Sequence, residues 1–163
     1  MKARYIIGAG IWSVLIALTL SMIWSFSGEG PAESEVTSSS VSSWLYLTFG
    51  FEGLCEFKSF YHVIRKLAHI VEFAVLSVES TALAITLAAG LNRPWRRLYS
   101  LYPICFGILV AFIDEGIQMF TARVPSLWDV LIDTVGTLLG YIFVLLVVYI
   151  VKRAHNKVAK KHS

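Results

Sequence analysis

Charge is what this sequence of 163 residues has least of: Asp, Glu, Lys and Arg make up 15% of it, against 56% hydrophobic residues. One soluble core of this length cannot hide so much apolar surface, so lipid must cover the remainder. Cysteine is nearly absent. Cys55 and Cys105 are the only two; neither has metal-ligand spacing, a bond between them would need an implausible reach, and they say nothing of redox compartment. The chain also has no internal repeat, no separate soluble domain, no nucleophile elbow, no phosphate loop and no His-rich metal signature. The net charge of +3 does not point to nucleic acid. The basic residues lie at helix ends and in a short tail rather than along one polar face, which is a topology signal.

What is present is a set of long apolar runs. A helix needs about 20 residues at roughly 1.5 Å each to cross a hydrocarbon core. Four stretches reach that length, at residues 6–24, 63–89, 98–120 and 127–151. The first follows Lys2 and Arg4 as a signal peptide would, but it is long for one and no small-x-small pattern follows Trp24, so it is expected to be retained. The expected fold is all-α: a polytopic four-helix membrane bundle forming one domain over 1–163.

Orientation follows from the basic residues. Lys2 and Arg4, then Arg93, Arg96 and Arg97, and then the tail 152–163 with Lys152, Arg153, Lys157, Lys160 and Lys161 belong on the cytoplasmic side. The connection 25–62 carries Glu29, Glu33, Glu35, Glu52 and Glu56 against Lys58, and belongs outside. Within it, Trp44, Leu47, Phe51, Leu54 and Phe57 approach helical spacing behind a serine run that could cap them. An extra amphipathic helix lying in the interface is expected there, as an aromatic anchor or as a substrate-binding lid.

Polar residues inside the spans carry the functional signal. His62, Arg65, His69 and Glu72 share one face of the second span, with Lys66 beside them. The third span ends with Asp114, Glu115 and Gln118; the last connection and fourth span carry Arg123, Ser126, Asp129, Asp133, Gly136 and Gly140. Given the direction of each span, all of these fall in the outer half. A charge facing lipid at a helix centre costs about 2.5–3.5 kcal/mol, so these groups must face one another or a wet pocket. One reading is an ion-pair network of Arg65, Lys66 and Arg123 against Glu72, Asp114, Glu115, Asp129 and Asp133 that fixes helix order. The carboxylates outnumber those cations, however, so a proton, His69 or a metal ion has to balance the set. Gly136 and Gly140 suit close helix packing, and Ser126 suits a helix N-cap better than a nucleophile. Glu79, about 15 Å along the helix from His69, is left to a neighbour such as Ser77, Ser80 or Thr81.

The phrases Arg65-Lys66-x-Ala68-His69-x-x-Glu72, Asp114-Glu115-x-x-Gln118 and Arg123-x-x-Ser126-x-x-Asp129-x-x-x-Asp133-x-x-Gly136-x-x-x-Gly140, with Phe26-Ser27 ahead of them, closely resemble the VanZ-like family. The resemblance runs from the first span to the fourth, although the outer connection is longer than that family's usual one. It implies a bacterial cell-envelope membrane protein, and the basic residues above place both termini in the cytoplasm and the protein in the cytoplasmic membrane. The family's namesake is associated with resistance to the glycopeptide antibiotic teicoplanin, which does not by itself make every relative a resistance determinant.

Two functions fit these residues. In the first, an enzyme acts on a membrane lipid or a lipid-linked cell-wall intermediate, by hydrolysis or transfer at a phosphate ester. His69, Glu72, Asp114 and Glu115 are then its catalytic candidates, and Arg65, Lys66, Gln118, Arg123 and Ser126 its substrate-binding ones. Asp129 and Asp133, helped by Asp114 and Glu115, would hold a divalent cation. In the second, the same outer pocket is a non-catalytic binding or immunity module for an antibiotic, a lipid intermediate or a membrane partner. A proton-coupled transporter fits less well, since four spans make a small pathway unless the chain oligomerises.

Overall fold

The computed structural model describes residues 2–51, 55–93, 97–121 and 126–161. They form five helices: α1 (Ala3–Ser27), α2 (Pro31–Thr48), α3 (Phe57–Gly90), α4 (Arg97–Phe120) and α5 (Leu127–Lys161). Four of them, all but α2, are long and apolar enough to cross a membrane, and the protein is a multi-pass membrane protein. Its burial pattern is that of a chain dissolved in lipid. Ile7, Leu18, Val71, Leu109 and Phe143 lie outside, while among the described residues buried polar side chains outnumber buried apolar ones.

Helix α3 is the hub, packing against all the other helices and most extensively against α5. The α1–α3 pair is antiparallel. Gly8 faces Thr86, Thr19 bonds Glu79, and the end of α1 lies beside His69. The α3–α5 pair is parallel, and its closeness comes from two glycines. A Cβ on Gly136 would run into the carbonyl of Ile70, and one on Gly140 into that of Ala74, so the Gly-x-x-x-Gly face does the packing expected of it. A small apolar core of Ile16, Ile23, Phe73, Leu76, Val110, Ala111 and Val130 fills the space between the helices.

The extra helix between the first two spans is present, but it is shifted towards the N-terminus. It starts at Pro31, whose missing N–H costs nothing in the first turn, and it includes the serine run that was expected to cap it. Ser39 and Ser40 donate back to the Val36 carbonyl at 3.1 and 2.9 Å, so these hydroxyls are satisfied inside the helix. The helix stops before Gly50, which takes φ +69°, a conformation that glycine adopts at little cost. Trp44 and Leu47 are therefore on α2, Phe51 follows it and Phe57 begins α3; Leu54 lies outside the described residues. Ring contacts of Tyr46 with Phe57 and Phe60, at 5.4 and 5.3 Å, pin the end of α2 to the start of α3. Cys55 and Cys105 are both free.

Candidate functional site

Polar residues from four helices meet where α1 and α4 end and α3 and α5 begin. Asp114 is fully buried on α4. Its Oδ1 accepts a hydrogen bond from the Ser27 hydroxyl at 2.5 Å, and its Oδ2 accepts one from the Gln118 amide, one turn along, at 2.9 Å. Asp133 on α5 is also fully buried. Its Oδ1 lies 3.5 Å from His69 Nδ1 on α3, yet neither of its oxygens, nor His69 Nδ1, has a hydrogen-bond partner. One donor atom from each of His69, Asp114 and Asp133 lies within 4.8 Å of the others. A half-buried carboxylate on α3, Glu72, lies one turn beyond His69.

His69 keeps 23% of its side-chain surface because it forms part of a pocket wall. The pocket, of about 180 Å³, lies between the end of α1, α2 and the first half of α3. Its polar lining includes Ser27, Ser38, Ser42, Arg65, His69 and Glu72, and its apolar lining Phe26, Val41 and Ile64. An apolar wall with a few convergent polar groups is the usual makeup of a ligand site. Ser42 is fully buried and its hydroxyl has no partner.

The structure divides the expected residues into three groups. His69, Asp114 and Asp133 converge, and Arg65 and Glu72 join His69 at the pocket. Gln118, expected to touch substrate, instead spends its amide on Asp114. Glu115, an expected catalytic group, accepts the backbone N–H of Ser126 at 2.7 Å; the Ser126 carbonyl in turn accepts from Asp129 and Val130, which places Ser126 at the N-cap of α5 as expected. Asp129 is partly exposed and stands outside the converging trio, so a metal would be held by His69 and Asp114 with Asp133, not by the Asp129–Asp133 pair. Lys66 and His62 are exposed. Arg123 lies outside the described residues.

Among the described residues, no lysine or arginine pairs with a buried acid, while Arg123, the third cation of the expected network, lies outside them. Among the described residues, His69–Asp133 is the charged pair closer than 4.0 Å. The acids that have partners are satisfied by a hydroxyl, an amide and a backbone N–H. Arg65 lines the pocket and Lys66 is exposed, neither within 4.0 Å of a described acid. Glu79 is likewise not held by its helical neighbours: Thr19 of α1 donates to its Oε1 at 3.0 Å, while Ser80 and Thr81 donate to the Ser77 carbonyl.

Helix α1 contributes more than the Phe26-Ser27 phrase at its end. Thr19 and Ser27 each supply the hydroxyl for a buried acid, and together with Ile16 and Ile23 they are the buried residues of that helix. Their spacing, 16, 19, 23 and 27, is the period of a helical stripe, which was the available signal.

The family model of VanZ/LLP1 matches residues 12–149, and the chain belongs to that family. No curated protein and no solved structure matched the chain.

Proposed function

We propose that this VanZ/LLP1 protein is a membrane-embedded enzyme that hydrolyses, or transfers a group at, a phosphoester of a lipid-linked cell-envelope substrate. The carrying observation is the convergence of His69, Asp114 and Asp133, with both Asp133 oxygens and His69 Nδ1 buried and without a partner, beside a pocket that also contains Arg65 and Glu72. Buried polar atoms without partners cost roughly 1–3 kcal/mol each in lost hydration. A cluster kept at that cost, next to an open pocket, is the pattern of a functional site.

The pocket suits an amphiphile. Phe26, Val41 and Ile64 would line the beginning of an acyl or isoprenoid chain, and Arg65 would pair with a phosphate in the headgroup, where a guanidinium fork is well matched. The Ser38 and Ser42 hydroxyls would complete the anion's hydrogen bonds. In hydrolysis, a water oxygen bonds to phosphorus as its proton passes to Glu72 or His69; the ester P–O bond breaks, and the departing oxygen takes a proton from the same pair. In transfer, an acceptor hydroxyl replaces the water.

The basic termini and the Arg93 connection support an orientation with both ends of the chain in the cytoplasm and the pocket at the outer face of a bacterial cytoplasmic membrane. Envelope intermediates are exposed on that side. Altered glycopeptide susceptibility in cells would be a downstream consequence of such chemistry.

The test is purified protein with extracted envelope lipids, alongside His69→Ala and Glu72→Gln. Phosphate release or headgroup exchange that is lost in both variants supports the enzyme. Saturable lipid binding without turnover in the wild type would instead make the pocket a recognition module.

A further inference from the structure

The His69–Asp133 contact has the spacing of two ligands on one ion. Its 3.5 Å separation is long for a hydrogen bond between an imidazole and a carboxylate. Two donors each about 2.1 Å from a tetrahedral ion stand roughly 3.4 Å apart. Asp133 is fully buried and neither oxygen is bonded, and His69 Nδ1 is buried and unbonded as well. His69 Nδ1 and Asp133 Oδ1 face one another, and one potential ligand atom from each of His69, Asp114 and Asp133 lies within 4.8 Å of the others. The three residues come from three different helices, so each donor is held on a rigid element.

From this we infer that His69, Asp114 and Asp133 bind one divalent metal ion. The charges close: two carboxylates and a neutral imidazole balance a dication, and no described lysine or arginine lies within 4.0 Å of either carboxylate. Asp114 fits the ligand role although both its oxygens accept hydrogen bonds, because a carboxylate has about four lone-pair sites. Ser27 and Gln118 then become the outer partners that orient a ligating carboxylate. One imidazole with two carboxylates is a donor set for the Zn²⁺ and Mn²⁺ class, with coordination positions left for water or a phosphate oxygen.

The site itself rests on geometry. What the ion would do rests on the proposed hydrolase reading, in which it would activate the attacking water or polarise the phosphoryl oxygen. As a ligand, His69 would give up proton transfer, leaving that duty to Glu72.

The experiment uses the full chain in detergent, stripped with EDTA and titrated with Mn²⁺ under electron paramagnetic resonance, with Zn²⁺ as competitor. The expected result is one ion per chain, affinity lowered about 10–100-fold in Asp133→Asn and His69→Ala, and wild-type affinity in Glu79→Gln, whose carboxyl lies outside the trio. A metal-induced rise in thermal stability should appear in the wild type and Glu79→Gln and vanish in the two ligand variants. His69→Ala changes a partly exposed side chain, so it reports even if Asp133→Asn does not fold. Folded wild type that takes up neither ion at millimolar concentration, or His69→Ala with unchanged affinity, overturns the metal site. Turnover that persists in EDTA without bound ion overturns the metal and leaves the hydrolase reading; stoichiometric ion with no turnover does the reverse.

Discussion

The Ser27 hydroxyl, at the last residue of α1, donates to the Oδ1 of Asp114 on α4 at 2.5 Å. One small side chain thereby ties the end of the first span to a buried carboxylate of the third. Ser27→Ala should leave that oxygen unsatisfied and lower stability by about 1–3 kcal/mol. Ser27→Thr, which keeps the hydroxyl, should recover most of it. Equilibrium unfolding of the two variants in mixed micelles checks this.

The α3–α5 contact makes a sharper steric prediction. Gly140→Ala would place a methyl group on the carbonyl of Ala74, and the two helices would have to separate. The expected cost is about 1–3 kcal/mol of stability. Turnover per folded molecule should fall too, because the same contact holds Asp133 beside His69. Gly116→Ala, where nothing lies within 4 Å of an added Cβ, should change neither quantity.

Glu115 clasps the start of α5 by accepting the Ser126 N–H at 2.7 Å. Glu115→Ala should raise amide exchange over residues 126–130 and cost about 1–3 kcal/mol. Glu115→Gln retains an acceptor oxygen and should keep both exchange protection and turnover. Loss of turnover in Glu115→Gln with protection intact would return the residue to the chemistry.

Thr19 and Glu79 make a polar contact separate from the pocket, at the α1–α3 interface. Thr19→Val should destabilise the bundle by about 1–3 kcal/mol while turnover per folded molecule stays at the wild-type value. Rate and stability falling in proportion would contradict that separation.

The spans were readable in the sequence because their lengths are set by the bilayer, and the polar faces of α3, α4 and α5 because a helix's period is fixed. His69, Asp114 and Asp133 could thus be placed at one depth from spacing alone. Which acid meets which partner was not readable. A carboxylate in a low-dielectric bundle can be satisfied by a lysine, a serine or a backbone N–H, and the choice depends on helix rotation and crossing distance. Arg65 thus lies at the pocket rather than on an acid, and Gln118 holds Asp114 rather than substrate. The extent of α2 was obscured by its serines, which favour a cap in isolation but bond back to Val36 once Pro31 has started the helix earlier.

If the buried cluster beside the pocket is a reactive centre, purified wild type turns over a lipid-linked phosphoester and His69→Ala does not, compared at equal folded concentration. The expected result is measurable phosphate release or headgroup exchange by the wild type and a loss of about 10²–10⁴-fold in the variant. A His69→Ala rate equal to that of the wild type, or no turnover by folded wild type on any envelope phosphoester, would contradict it.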